Sequence, residues 1–174
     1  MDSAPPTGAT GPQTADELPP EAIALATRFF DAARHGQMDI FEQALPHGLP
    51  ANLTNDKGDT LLMLASYHGH APLVSLLVRH GADPNRVNDR GQSILAGVVF
   101  KNEAEVIKIL LEAGADPELG EPSALDATKV PIPDFWKARQ ANIEKIFRQE
   151  EYEGMFREQI EKLKSQGARA MNGR

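Results

Sequence analysis

The four residues Gly81-Ala82-Asp83-Pro84 return unchanged, 33 positions on, as Gly114-Ala115-Asp116-Pro117. Much of the intervening chain keeps the same step. Asn55, Asp56, Gly58, Leu62 and Leu77 recur as Asn88, Asp89, Gly91, Leu95 and Leu110, while Thr60 becomes Ser93 and Val74 becomes Ile107. The step also runs backwards: Ala65, His68, Gly69, Gly81 and Asn85 map to Ala32, His35, Gly36, Gly48 and Asn52. A unit this short cannot enclose a core of its own, so it buries its apolar face only against its neighbours. The chain is thereby constrained to a stack of like units at 22–54, 55–87 and 88–120, with a shortened fourth at 121–130. There Ser123 stands for Ser93 at a spacing of 30, so the entering loop has lost three residues.

Each unit carries its own punctuation. Thr60 and Ser93 stand where a hydroxyl accepts from the unpaired amides of a helix start, which predicts short apolar helices over Leu61–Tyr67 and Ile94–Phe100. Gly36 and Gly69 break the chain. A second helix follows, with apolar residues at helical spacing: Leu73, Leu76 and Leu77, then Val106, Ile109 and Leu110. Gly81 and Gly114 fall just past its end, where a residue of positive φ closes a helix. Asp-Pro-Asn after that glycine and Asn-Asp-x-x-Gly before the next helix are turn formers. The unit reads as helix, tight turn, helix, extended loop.

The run Asn55-Asp56-Lys57-Gly58-Asp59-Thr60-Leu61-Leu62-Met63-Leu64-Ala65, followed by Gly69-His70, Leu76-Leu77 and Gly81-Ala82-Asp83-Pro84-Asn85, resembles the ankyrin repeat. The resemblance covers about residues 22–130 and implies an all-α repeat solenoid of about three repeats plus a partial fourth. Two departures bear on stability. Where the family has Thr-Pro-Leu-His, this chain has Thr60-Leu61-Leu62-Met63 and Ser93-Ile94-Leu95-Ala96, losing a proline that pre-sets a helix start and a histidine that ties neighbouring repeats. Gly97 lies inside a helix, at a cost of up to about 1 kcal/mol relative to alanine, so the third repeat is expected to be the weakest. In its turn Lys101-Asn102-Glu103 replaces Gly-His, with Asn102 standing in for glycine at positive φ.

The flanks follow other rules. Residues 1–19, rich in Pro, Gly, Thr and Ala, read as a disordered tail, with neither the basic start nor the apolar run of a signal peptide. Residues 131–165 read as a helical extension capping the last repeat, with Phe135, Trp136 and Ile143 to Phe147 packed on it. A second stripe is Met155, Phe156, Ile160 and Leu163, and Gly154 is a candidate break. Residues 166–174 are expected to fray.

Several classes of chemistry find no support. With no cysteine, disulfides and thiol chemistry are excluded. The five histidines fall at repeat positions rather than at ligand spacings; no phosphate loop or desolvated carboxylate pair is visible, and no segment reaches the length of a membrane span. A net charge of −7 argues against nucleic acid as a partner. The reading is a non-catalytic protein, without metal or cofactor, monomeric, in the cytoplasm with the nucleus open to it, whose partner is another protein.

The resemblance also implies an address. In ankyrin proteins the loop tips and the exposed side of the first helices line one concave face. Mapped onto this sequence, that face carries Arg34 and His35; Asp56, Lys57, Asp59, Tyr67 and His68; and Asp89, Arg90, Gln92, Phe100 and Lys101. Tyr67 and Phe100, 33 apart, are either interface anchors or packing between repeats. Two rival roles share the fold: an assembly protein that pairs through its C-terminal helices, and a regulatory inhibitor of an enzyme or transcription factor.

Overall fold

The computed structural model describes residues 20–128 and 149–171. Eight helices appear in it: α1 Pro20–His35, α2 Met38–Ala44, α3 Leu61–Tyr67, α4 Ala71–Arg79, α5 Ile94–Lys101, α6 Ala104–Glu112, α7 Ala124–Ala127 and α8 Gln149–Met171. Among the described residues there is no strand, only isolated antiparallel bridges at Thr54–Thr60 and Val87–Ser93, where the loops double back. The architecture is an all-α repeat solenoid. Helices α1, α3, α5 and α7 pack in one row, and α2, α4 and α6 in a second.

The helix starts form as the sequence requires. The Thr60 hydroxyl accepts from Met63 N at 3.0 Å, Ser93 from Ala96 N at 3.2 Å, and Ser123 from Asp126 N at 3.2 Å. Asn102 takes the left-handed conformation, φ 58°, in the turn where other repeats use glycine. Between the rows lies a core of aliphatic side chains, with Leu61, Leu62, Leu77, Ile107 and Leu110 wholly buried. Each contributes roughly 1.5–3 kcal/mol relative to exposure.

Adjacent repeats are also tied by polar bonds. Asn52 donates to the Gly81 carbonyl at 3.1 Å and accepts from Asp83 N at 2.8 Å. Asn85 repeats the pair with Gly114 and Asp116, at 3.1 and 2.8 Å. His70 Nε2 lies 2.7 Å from the Arg34 carbonyl, which only accepts, so that nitrogen carries the proton. His70 leaves no room for a side chain at Gly36: a Cβ there would come within 2.6 Å of the imidazole.

Helix α8 runs unbroken through Gly154, which does not split it, and extends to Met171, beyond residue 165 where its end was expected. It buries Phe156 completely, within the same core cluster as the repeats. The packing expected of Phe135, Trp136 and Ile143 to Phe147, and the disorder expected of residues 1–19, fall outside the described residues.

Candidate concave groove

Two kinds of surface converge on one side of the stack. The first is the pair of loop tips. Asn55 Oδ1 accepts from the backbone of Lys57 and Asp59, both at 2.9 Å; Asn88 Oδ1 does the same for Arg90 and Gln92, at 3.1 and 3.0 Å. Asp89 N then donates to the Lys57 carbonyl at 3.1 Å, joining one tip to the next. Rigid tips of this kind hold Lys57 and Arg90 at the same place in successive repeats.

The second surface is the outward side of α3 and α5. Tyr67 is 42% exposed and Phe100 50%, so each is about half open to the surface. One turn earlier on the same helical face come Met63 and Leu64 in α3 and Ala96 and Gly97 in α5. Together tips and helices enclose a groove of about 610 Å³. Gly97 sets part of its width, because a Cβ at that position would sit 3.6 Å from Tyr67 Cδ2. The third inner helix therefore presents bare backbone beside the tyrosine, where α3 has Leu64.

The groove is cationic at its edges. Lys101 Nζ stands 4.7 Å from the centre of the Tyr67 ring, close enough for a cation–π attraction. His68 meets Tyr67 edge-on, at 5.7 Å between ring centres. Partial burial, followed by the neighbouring charges of His70, Lys101, Arg34 and His35, holds the His68 pKa below its usual value of 6.5. The Asp59 carboxylate in the groove wall is already engaged, accepting from Asn88 Nδ2 at 2.9 Å and Asn55 Nδ2 at 3.2 Å.

Of the residues mapped onto this face from sequence, the structure gathers Arg34, Lys57, Asp59, Tyr67, His68, Arg90, Gln92 and Phe100 in the groove lining. His35, Asp56 and Asp89 are exposed outside it, His35 with Nδ1 donating to the Asp31 carbonyl at 2.7 Å. Lys101 is outside the lining too, though its ammonium covers Tyr67. The sequence mapping missed the floor: Met63, Leu64, Ala96 and Gly97, with Pro122 and Ala127 from the shortened fourth unit. Counting back three and four residues from Tyr67 and Phe100 would have found the first four. Among the described residues no three His, Asp or Glu side chains converge on a metal-sized space.

The sequence pattern described as "Ankyrin repeats (3 copies)" matches residues 29–120, more than half of the chain. The chain belongs to the ankyrin repeat family. An ankyrin repeat protein of Pseudomonas aeruginosa is 53% identical over 51 residues, which cover 29% of this chain and 30% of that relative. The chain therefore spans about a third of the curated relative it matches. Ankyrin repeats are in general protein–protein interaction units and not catalysts. Among the described residues no helix is long and apolar enough to cross a membrane.

Proposed function

We propose that this ankyrin repeat protein is a non-catalytic adaptor or scaffold that binds a protein partner in the concave groove. The observation that carries the reading is the pair of half-exposed rings, Tyr67 and Phe100, side by side on successive repeats in a groove of about 610 Å³. Exposed aromatics flanked by arginine are the residues that most often dominate interface energy. The rigid stack holds them in place before binding, so little ordering entropy is lost when a partner docks.

The test has two arms. The wild-type chain and the Tyr67→Ala/Phe100→Ala variant are used side by side to capture partners from native extract. Each captured protein is then purified and titrated against both chains. The groove reading expects at least a tenfold loss of affinity in the double variant, with its helix content unchanged by circular dichroism. Equal affinity for both chains would move the binding surface elsewhere on the molecule.

A further inference from the structure

The basic residues in and beside the groove fall into columns that follow the repeat. Lys57 and Arg90, 33 apart, form one at the loop tips. His35, His68 and Lys101, again 33 apart, form a second at the ends of the inner helices. One residue before the second column runs a third, Arg34, Tyr67 and Phe100, and the groove lining gathers Lys57 and Arg90, His68, and all three of these. Residues 1–133 hold nine Lys/Arg against eighteen Asp/Glu, yet four of those nine cations, Arg34, Lys57, Arg90 and Lys101, stand in or over this one groove.

What those cations meet decides the matter. Lys57 and Arg90 make no ion pair among the described residues, whereas Arg34 is paired with Asp31 at 2.7 Å. The carboxylate of Asp59 is held by two asparagines and is not aimed at either cation's charge as a salt bridge. Beyond its partial burial, what holds the His68 pKa down is positive charge, from His70, Lys101, Arg34 and His35. A locally positive, half-apolar cleft in an acidic body attracts negative charge on encounter and repels basic competitors.

From this charge pattern we infer that the groove takes an acidic segment of a protein partner. An aliphatic or aromatic anchor sits on the Tyr67–Phe100 strip, with Asp or Glu on one side facing Lys57 and Arg90 and on the other facing His68. The inference rests on the groove being the binding surface. A nucleic acid strand would also pair stacking rings with cations. The surrounding net charge of −9 over residues 1–133 disfavours so dense a polyanion, and a short segment with two or three carboxylates does not meet that repulsion along its length.

Random 12-residue peptides displayed on phage are selected on the full chain. Synthetic copies of those recovered are then titrated by fluorescence anisotropy against wild type, Lys57→Glu/Arg90→Glu and Gly97→Leu. The leucine extends from a position 3.6 Å from Tyr67 and fills the groove; should that variant lose its helix signal, Tyr67→Ala/Phe100→Ala takes its place. The expected peptides carry Asp or Glu on either side of Leu, Phe or Trp. They bind at least tenfold more weakly to the charge-reversed chain, and several-fold more weakly at 500 mM than at 50 mM NaCl. Peptides that need an open groove but are uncharged or basic, and ignore the charge reversal, overturn the acidic inference and leave the groove function standing. Peptides that bind Gly97→Leu as well as wild type, or no enrichment over it, overturn both. Labelled single-stranded dT20 that binds wild type and is lost on charge reversal overturns the protein-segment reading in favour of nucleic acid.

Discussion

Ser66 places a hydroxyl where the equivalent positions of the neighbouring repeats, Ala33 and Val99, carry only carbon. It is fully buried, and its Oγ finds no hydrogen-bond partner among the described residues. A buried, unpaired hydroxyl costs about 1–3 kcal/mol of desolvation, and serine is a poorer helix former than alanine. Ser66→Ala is therefore expected to raise stability by about 1 kcal/mol in urea denaturation. His68 acts in the other direction, through pH. Its folded pKa lies below 6.5 because of partial burial and then the surrounding cations, so between the folded and unfolded values the unfolded chain binds more protons. Its contribution is intact above pH 6.5 and is lost as pH falls toward the lowered folded value. His68→Asn should make the fall in stability between pH 7 and pH 5 shallower than in wild type, measured as urea midpoints at each pH. An unchanged slope would mean that neither partial burial nor the charges at the groove edge act on this ring.

At the scale of the helix pair, the joints between repeats are unequal. His70 donates across the first joint to the Arg34 carbonyl at 2.7 Å. The residue one repeat on is Glu103, whose carboxylate sits against Gly69 as the His70 ring sits against Gly36, with 2.7 Å to a Cβ placed there. A carboxylate has no proton to donate to the matching carbonyl. Glu103→His is accordingly expected to stabilise the chain by about 1 kcal/mol, and His70→Ala to cost a similar amount. Both are read from denaturation midpoints. This inequality could not be read from the sequence, because it depends on which groups of one repeat meet the next. What was legible was local: Thr60 and Ser93 cap helices, Asn102 takes positive φ, and the loops turn at Asn55 and Asn88, all through bonds that close within a few residues. The exposure of Tyr67 and Phe100 was undecided in sequence, since an aromatic column fits the stack and its open face equally well. Gly97 read only as a helix defect; its place beside Tyr67 appears once α3 and α5 lie side by side. Gly154 read as a break, yet the roughly 1 kcal/mol it costs a helix is small against the burial of Phe156 two residues on.

For the whole molecule, a stack of three repeats and a shortened fourth is short, and a solenoid loses stability from its ends. Total folding stabilities of about 5–15 kcal/mol leave little to spare in such a chain. Helix α8 bears on this chiefly through Phe156, which is wholly buried in the core cluster with Met155 packed against it and Gln159 buried beside it in sequence, while Glu158, Glu161 and Lys162 on the same helix are exposed. If α8 is part of the folding unit, Phe156→Ala removes a ring from a packed interior and should cost about 3–5 kcal/mol, a large share of the total. Glu161→Ala on the exposed side of the helix should change stability by less than about 0.5 kcal/mol. The two variants are compared by urea denaturation, followed by circular dichroism and by Tyr67 fluorescence in a background that carries both Trp136→Phe and Tyr152→Phe, which leaves Tyr67 as the remaining tyrosine. A Phe156→Ala chain whose two probes shift together by the full amount shows that α8 and the repeats unfold as one unit. A change below 0.5 kcal/mol, equal to that of Glu161→Ala, would show that the repeats stand without α8 and that its apolar side is available to another chain, as the assembly reading requires.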